Sequence, residues 1–196
     1  MLLIGSAGAN VGKTEFAGTI ISKFSKDRDI IGIKVTTIKA KDGKCPHGGT
    51  CCGVCSSLKN DFCITEETCA TSGKDTARLL VAGASRVLWL RVMKKSLAEG
   101  INTLLDIIPP DTPLVCESNS LRHAVQPGLF IMITAPSSKK WKTSARSVKE
   151  YADRIIVSNG SSFNIDIDRI KLVNTKWILS ENATAIIPWG ANINFS

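Results

Sequence analysis

A lysine followed by threonine, set behind a glycine and a run of small residues, is a combination that binds phosphate. It occurs here as Gly5-Ser6-Ala7-Gly8-Ala9-Asn10-Val11-Gly12-Lys13-Thr14-Glu15. The spacing is that of the Walker A pattern, Gly-x-x-x-x-Gly-Lys-[Ser/Thr], with Ala7 in place of the first glycine. Gly8 and Gly12 are expected to let the backbone take unusual dihedrals and come close to a polyanion. The N–H groups of Gly8, Ala9, Asn10, Val11, Gly12, Lys13, Thr14 and Glu15 then form an anion-binding nest at a helix start. Lys13 is expected to reach the β- and γ-phosphates of GTP or ATP, and the Thr14 hydroxyl to hold Mg²⁺, which takes oxygen ligands.

A second concentration of reactive groups lies at Cys45, Cys51, Cys52, Cys55, Cys63 and Cys69, six of the seven cysteines in the chain, with His47 among them. Cys52-x-x-Cys55 has the spacing that lets two thiolates grip one metal, and Cys45 and Cys51 are near enough to complete four ligands. Thiolates select zinc or an iron–sulfur cluster. The spacing is neither that of a standard zinc finger nor that of a standard ferredoxin. The alternative is a set of free thiols, which at this density would be prone to oxidation. Cys116 stands apart in an apolar run and reads as core; His123 reads as an exposed or hydrogen-bonded histidine.

Three further residues are candidates by position. Glu117 follows the apolar run Pro113-Leu114-Val115-Cys116, where a phosphate-loop enzyme places an acid to organise the Mg²⁺ shell. Asp75, in Gly73-Lys74-Asp75-Thr76, is either a second working carboxylate or a helix cap. Asn159 is placed either to read the edge of a nucleobase or to make an Asn-Gly turn with Gly160. The chain has no Asn-Lys-x-Asp signature that would assign the base.

The elements that must position these groups alternate. Short apolar runs at 1–4, 30–38, 86–92, 113–116, 129–135 and 154–158 read as buried parallel strands. Helical periods lie between them: Phe16, Ile20, Ile21 and Phe24 over 14–25; a helix over 77–84, capped by Asp75 or Thr76 and ended by Gly83; and Leu97, Ile101, Leu104, Leu105 and Ile108, with Ser96 and Glu99 as a capping box and Pro109-Pro110 as the stop. Helices are also predicted over 143–152 and 165–172, and a last strand over 183–187. Strand, helix, strand over 1–38 predicts a right-handed βαβ unit. The whole predicts an α/β fold, a three-layer doubly wound and mostly parallel sheet, in one domain over 1–196 with a Cys-rich insertion at about 39–72.

The 196 residues suffice for a sizeable core, and the net charge of +8 favours acidic ligands such as nucleotides. The one dense basic run, Lys139-Lys140-Trp141-Lys142, reads as a solvated loop, so nucleic acid is not the expected partner. Residues 1–4 are too short for the apolar stretch of an export signal, and no run is long enough to span a membrane, so a cytoplasmic protein is expected. A reducing compartment argues for metal or redox use of the cysteines over disulfides.

With these residues in view, the chain resembles the molybdopterin-guanine dinucleotide biosynthesis protein B (MobB) family of phosphate-loop proteins. The likeness is carried by the loop at 5–14, by Ile31-Gly32-Ile33-Lys34-Val35-Thr36, by Gly73-Lys74-Asp75-Thr76 through Ala82-Gly83-Ala84, and by Val115-Cys116-Glu117 followed by the strand at 129–133. It departs at Val35, where the family commonly has histidine, at Glu117-Ser118 in place of an acid-glycine pair, and in its cysteine insertion. The resemblance implies a P-loop NTPase fold, slow Mg²⁺-dependent hydrolysis, a homodimer, and a helper role beside a cofactor-assembling transferase in molybdenum cofactor biosynthesis. It gives Lys13 and Thr14 the phosphate and magnesium roles and Glu117 the acid role. Two rival functions stand on the same scaffold: a small-molecule kinase or ATP-dependent ligase with Lys34, Asp75 and Arg78 lining its substrate pocket, and a non-catalytic nucleotide switch.

Overall fold

The structure, a computed structural model, describes residues 1–38, 61–138, 140–160 and 162–180. Cys45, Cys51, Cys52, Cys55 and the strand expected over 183–187 lie outside the described residues. The fold is α/β: a seven-stranded, mostly parallel mixed sheet flanked by helices.

In chain order the elements are β1 (Leu2–Ser6), α1 (Lys13–Phe24), β2 (Ile31–Ile38), β3 (Phe62–Glu66), α2 (Asp75–Val81), β4 (Arg86–Met93), α3 (Leu97–Asp106), β5 (Leu114–Glu117), β6 (Leu129–Thr134), α4 (Thr143–Arg146), β7 (Arg154–Val157), β8 (Ile170–Val173) and β9 (Lys176–Leu179). The sheet order is β3-β4-β2-β5-β1-β6-β7, and β8 with β9 forms a separate hairpin. β1 and β2 are parallel, as a βαβ unit requires, but they are not neighbours. β5 lies between them and pairs with both.

Period-two alternation sends successive strand residues into two cores. Leu2 and Ile4 of β1 pack with Phe16, Ala17, Ile20 and Ile21 of α1. Leu3 turns the other way, into the core shared with Leu97, Ile101 and Leu104 of α3. Both faces are therefore covered, which is why these strands are apolar throughout. Each fully buried leucine or isoleucine contributes about 1.5–3 kcal/mol.

Four expectations need correction. The region expected as an irregular insertion contains the edge strand β3, antiparallel to β4. Ser96 does cap α3 by position, but its hydroxyl donates to Asp61 Oδ2 at 2.8 Å rather than to the helix backbone. The helix expected over 143–152 is one short turn, α4, followed by a 3-10 turn at Lys149–Tyr151. The helix expected over 165–172 is a 3-10 turn, Ile167–Arg169, leading into the β8–β9 hairpin. That hairpin turns at Asn174 and Thr175, both with positive φ (45° and 66°), and buries Trp177 edge-on against Phe24, ring centroids 5.1 Å apart.

Candidate functional site

The carboxyl ends of β1, β2 and β5 and the first turn of α1 enclose a cleft of about 430 Å³. In an open α/β sheet this is where ligands bind. The loop from Ala7 to Gly12 forms one wall. Two of its residues take left-handed backbone, Asn10 (φ 53°) and Gly12 (φ 90°). Gly12 caps α1, and a Cβ there would stand 3.2 Å from Ser158 Oγ, so glycine is required by conformation and by space. Gly8, expected to share that role, has no positive φ. Ala7 is fully buried with ordinary backbone, its N–H donating to the Ile133 carbonyl at 2.8 Å, and so tolerates the Cβ that replaces the motif's first glycine.

Asn10, Val11, Gly12, Lys13, Thr14 and Glu15 line the cleft; Gly8 and the exposed Ala9 form the outer part of the loop. The first helical hydrogen bond is Phe16 N–H to the Gly12 carbonyl, 2.9 Å. The N–H groups of Lys13, Thr14 and Glu15 precede it and have no acceptor within the helix. Lys13 Nζ donates to Ser6 Oγ at 2.9 Å, and Ser6 Oγ donates to the Gly8 carbonyl at 2.7 Å, which holds the lysine back along its own loop. Burial lowers the Lys13 pKa, and the Glu117 charge opposes that shift.

Glu117, the last residue of β5, is 3% exposed. Its Oε2 accepts from Thr14 Oγ1 at 3.2 Å, and its Oε1 is buried with no hydrogen-bond partner. Burial raises its pKa against the opposing pull of Lys34, Thr14 and Lys13. A buried carboxylate oxygen left unpaired costs about 1–3 kcal/mol or more. A threonine hydroxyl beside a carboxylate whose second oxygen is unpaired is a fitting set of hard oxygen donors for Mg²⁺. Sequence distance hid what sets this wall in place. Asn119 clasps the end of β1: its Oδ1 accepts from Ser6 N–H at 2.7 Å, and its Nδ2 donates to the Ser6 carbonyl at 2.9 Å. Gly5 leaves room for it, since a Cβ there would collide with Met132 Sδ and come within 3.0 Å of Asn119 Oδ1.

The far end of the cleft carries two ion pairs. Lys34 of β2 is bonded to Asp75 in the first turn of α2, and Arg78 Nη2 donates to Glu15 Oε1 at 2.8 Å. Asp75 makes no helix cap, since Lys74 stands at that position. Burial would raise its pKa, but Lys34, then Arg78 and Lys13, outweigh burial and hold the carboxyl below the ordinary range. Lys142, expected in a solvated loop, is exposed and outside regular structure, and it also lines the cleft, with its backbone N–H donating to the Ala7 carbonyl at 2.9 Å.

Other candidates lie elsewhere. Asn159 closes a turn: its Oδ1 accepts from Ser162 N–H at 2.8 Å, Gly160 follows with φ 98°, and the amide does not line the cleft. Cys63 sits half-buried on β3, 3.4 Å from Arg91 Nη2. Cys69 is exposed in the following turn, where the Thr71 hydroxyl holds its thiol pKa down. Among the described residues, no three of His, Cys, Asp and Glu are grouped to hold a metal. Cys116 is core, and burial pushes its thiol pKa up. His123 is exposed, with Nε2 3.1 Å from Ser147 Oγ. Among the described residues no helix is long and apolar enough to cross a membrane.

Comparison with protein-family models, with curated proteins and with solved structures finds no match.

Proposed function

We propose that the chain is a P-loop NTPase that binds GTP or ATP with Mg²⁺ in this cleft and hydrolyses it slowly. The observation that carries this reading is the joint placement of Lys13 and Thr14 at the mouth of α1 with Thr14 bonded to a buried, half-unpaired Glu117. A triphosphate tail would lie along the loop amides with Lys13 against its outer phosphates. Thr14 and Glu117 would hold the Mg²⁺, which supplies charge neutralisation at the phosphoryl oxygens. In hydrolysis a water oxygen bonds to the γ-phosphorus as the bridging P–O bond breaks, leaving a diphosphate and inorganic phosphate. The protein's part in that step is positioning and electrostatics: fixed amides and Lys13 stabilise charge that grows on the phosphoryl oxygens.

The MobB resemblance extends this to metallocofactor assembly, as a homodimer beside a transferase, with the cysteine insertion holding zinc or an iron–sulfur cluster. A second reading, a small-molecule kinase or ligase, draws on the Lys34–Asp75 and Arg78–Glu15 pairs, which put exchangeable charge at the end of the cleft away from Lys142. One assay separates the readings. Phosphate release from Mg-GTP or Mg-ATP with no acceptor present supports the hydrolase. Binding with no turnover until an acceptor is added, which then carries the γ-phosphoryl group (kinase) or is joined to a second substrate as phosphate is freed (ligase), supports the second reading. Binding with neither supports a nucleotide switch. No binding of either nucleotide contradicts all three.

A further inference from the structure

The cations of the cleft are not equivalent. Lys34 is held by Asp75 and Arg78 by Glu15. Lys13 rests on a serine hydroxyl. Lys142, from the segment after β6, forms no ion pair among the described residues, yet lines the same cleft. Its position is fixed twice over. Its N–H is bonded to the Ala7 carbonyl, and two residues on Ser144 Oγ accepts from Asn119 Nδ2 at 3.5 Å, the same amide that clasps Ser6. The segment carrying Lys142 is thus tied to the phosphate loop itself.

Two ammonium groups without carboxylate partners, on two segments bonded to each other and facing one cavity, repel each other until an anion lies between them. A single phosphate group must meet both lysines from one place. A tail of two or more phosphates gives each its own oxygen. We propose that Lys142 is a second phosphate-binding residue, reaching the tail from the side opposite α1, so that the cleft selects nucleoside di- and triphosphates over monophosphates. This rests on the nucleotide reading above.

The electrostatics add a signature. Lys142 is an exposed residue, but partial burial against the cleft wall, then the charge on Lys13, lower its pKa to about 8. The other titratable groups of the cleft are Lys13, Glu15, Lys34, Asp75, Arg78 and Glu117. An anion bound between the lysines raises the Lys142 value again. Binding above about pH 8 must therefore draw in a proton, and affinity falls as pH rises.

The test is calorimetric titration of the full chain with Mg-bound nucleoside tri-, di- and monophosphate, for wild type, Lys142→Met and Lys142→Arg. Lys142→Met is expected to weaken the di- and triphosphate about tenfold and leave the monophosphate unchanged. In wild type, affinity for the triphosphate falls between about pH 7 and about pH 9, and Lys142→Arg, whose charge persists, removes that slope. A structural role for Lys142 would not produce this recovery of affinity at high pH. If wild type binds the triphosphate and Lys142→Met binds it equally well, the inference is overturned and the nucleotide reading survives. Wild type that binds none of the three overturns both.

Discussion

The phosphate-loop cleft and the cysteine-bearing edge of the sheet were the two places where residue types promised chemistry, and they differ in how the fold treats them. At the loop, residues distant in sequence converge. Lys13 and Thr14 begin α1, Glu117 ends β5, Asn119 clasps Ser6, and Lys142 comes in bonded to Ala7. At the edge, Cys63 and Cys69 go separate ways, one to Arg91 on the neighbouring strand and one to Thr71 in its own turn. The loop motif couples its chemistry to a strand before it and a helix after it, so its spacing specifies geometry. A cluster of cysteines specifies composition, and geometry must come from elsewhere.

Substitutions should show the same inequality. The largest effect belongs to Lys13→Ala, expected to weaken Mg-triphosphate binding about a hundredfold while leaving the circular dichroism spectrum intact. Retained affinity would place the nucleotide elsewhere. Next is Glu117→Gln, expected to lower turnover by about tenfold to a hundredfold with a smaller effect on binding. The same change carries a pH signature in the nucleotide-free protein. Burial raises the Glu117 pKa, so its contribution to stability is present below the ordinary carboxylate pKa and is lost as pH rises through the raised one. Glu117→Gln should therefore gain stability relative to wild type as denaturation is followed from about pH 4 upward. A constant difference across that range would contradict the account.

Gly12→Ala comes third. The left-handed backbone costs about 1–2 kcal/mol with a Cβ, and contacts at 3.2 Å to Ser158 and 3.3 Å to Phe163 add to it. Urea denaturation should show that loss, and binding should weaken with it. The smallest effect is at the edge: Cys69→Ser should leave nucleotide affinity and the denaturation midpoint unchanged. Metal analysis of the same variant sharpens the contrast, because a fall in bound zinc or iron would make this exposed thiol a ligand despite its separate placement.

Much of this was legible in the sequence, for a physical reason. Strands covered on both faces are mainly apolar, so β1, β2, β4, β5 and β6 stood out as short apolar runs, and β7 at one edge showed through Ile155, Ile156 and Val157. β3, at the other edge, did not, because its partly exposed residues mix Cys63 and Ile64 with Thr65 and Glu66 and leave no apolar run. The β8–β9 hairpin hid behind its turn. Asn174-Thr175 takes positive φ without a glycine to announce it, and Ile165, Ile167, Ile170 and Leu172 fit a helical period as well as an alternating one. The 143–152 helix broke where Val148 turns into the core with φ −128°. At the site, the loop and Glu117 were readable because a short motif and a strand end mark them. Asn119 and Lys142 were not, since only the folded chain brings them to Ser6 and Ala7.

The central claim is that the amides opening α1 cradle a phosphate tail. Amide chemical shifts of ¹⁵N-labelled protein, recorded as Mg-bound triphosphate is added, test it at single residues. The account predicts the largest shifts at residues 8–15, with smaller ones at 117–120. Shifts centred on other segments, such as Thr65 to Trp89, or none at saturating nucleotide, would contradict it.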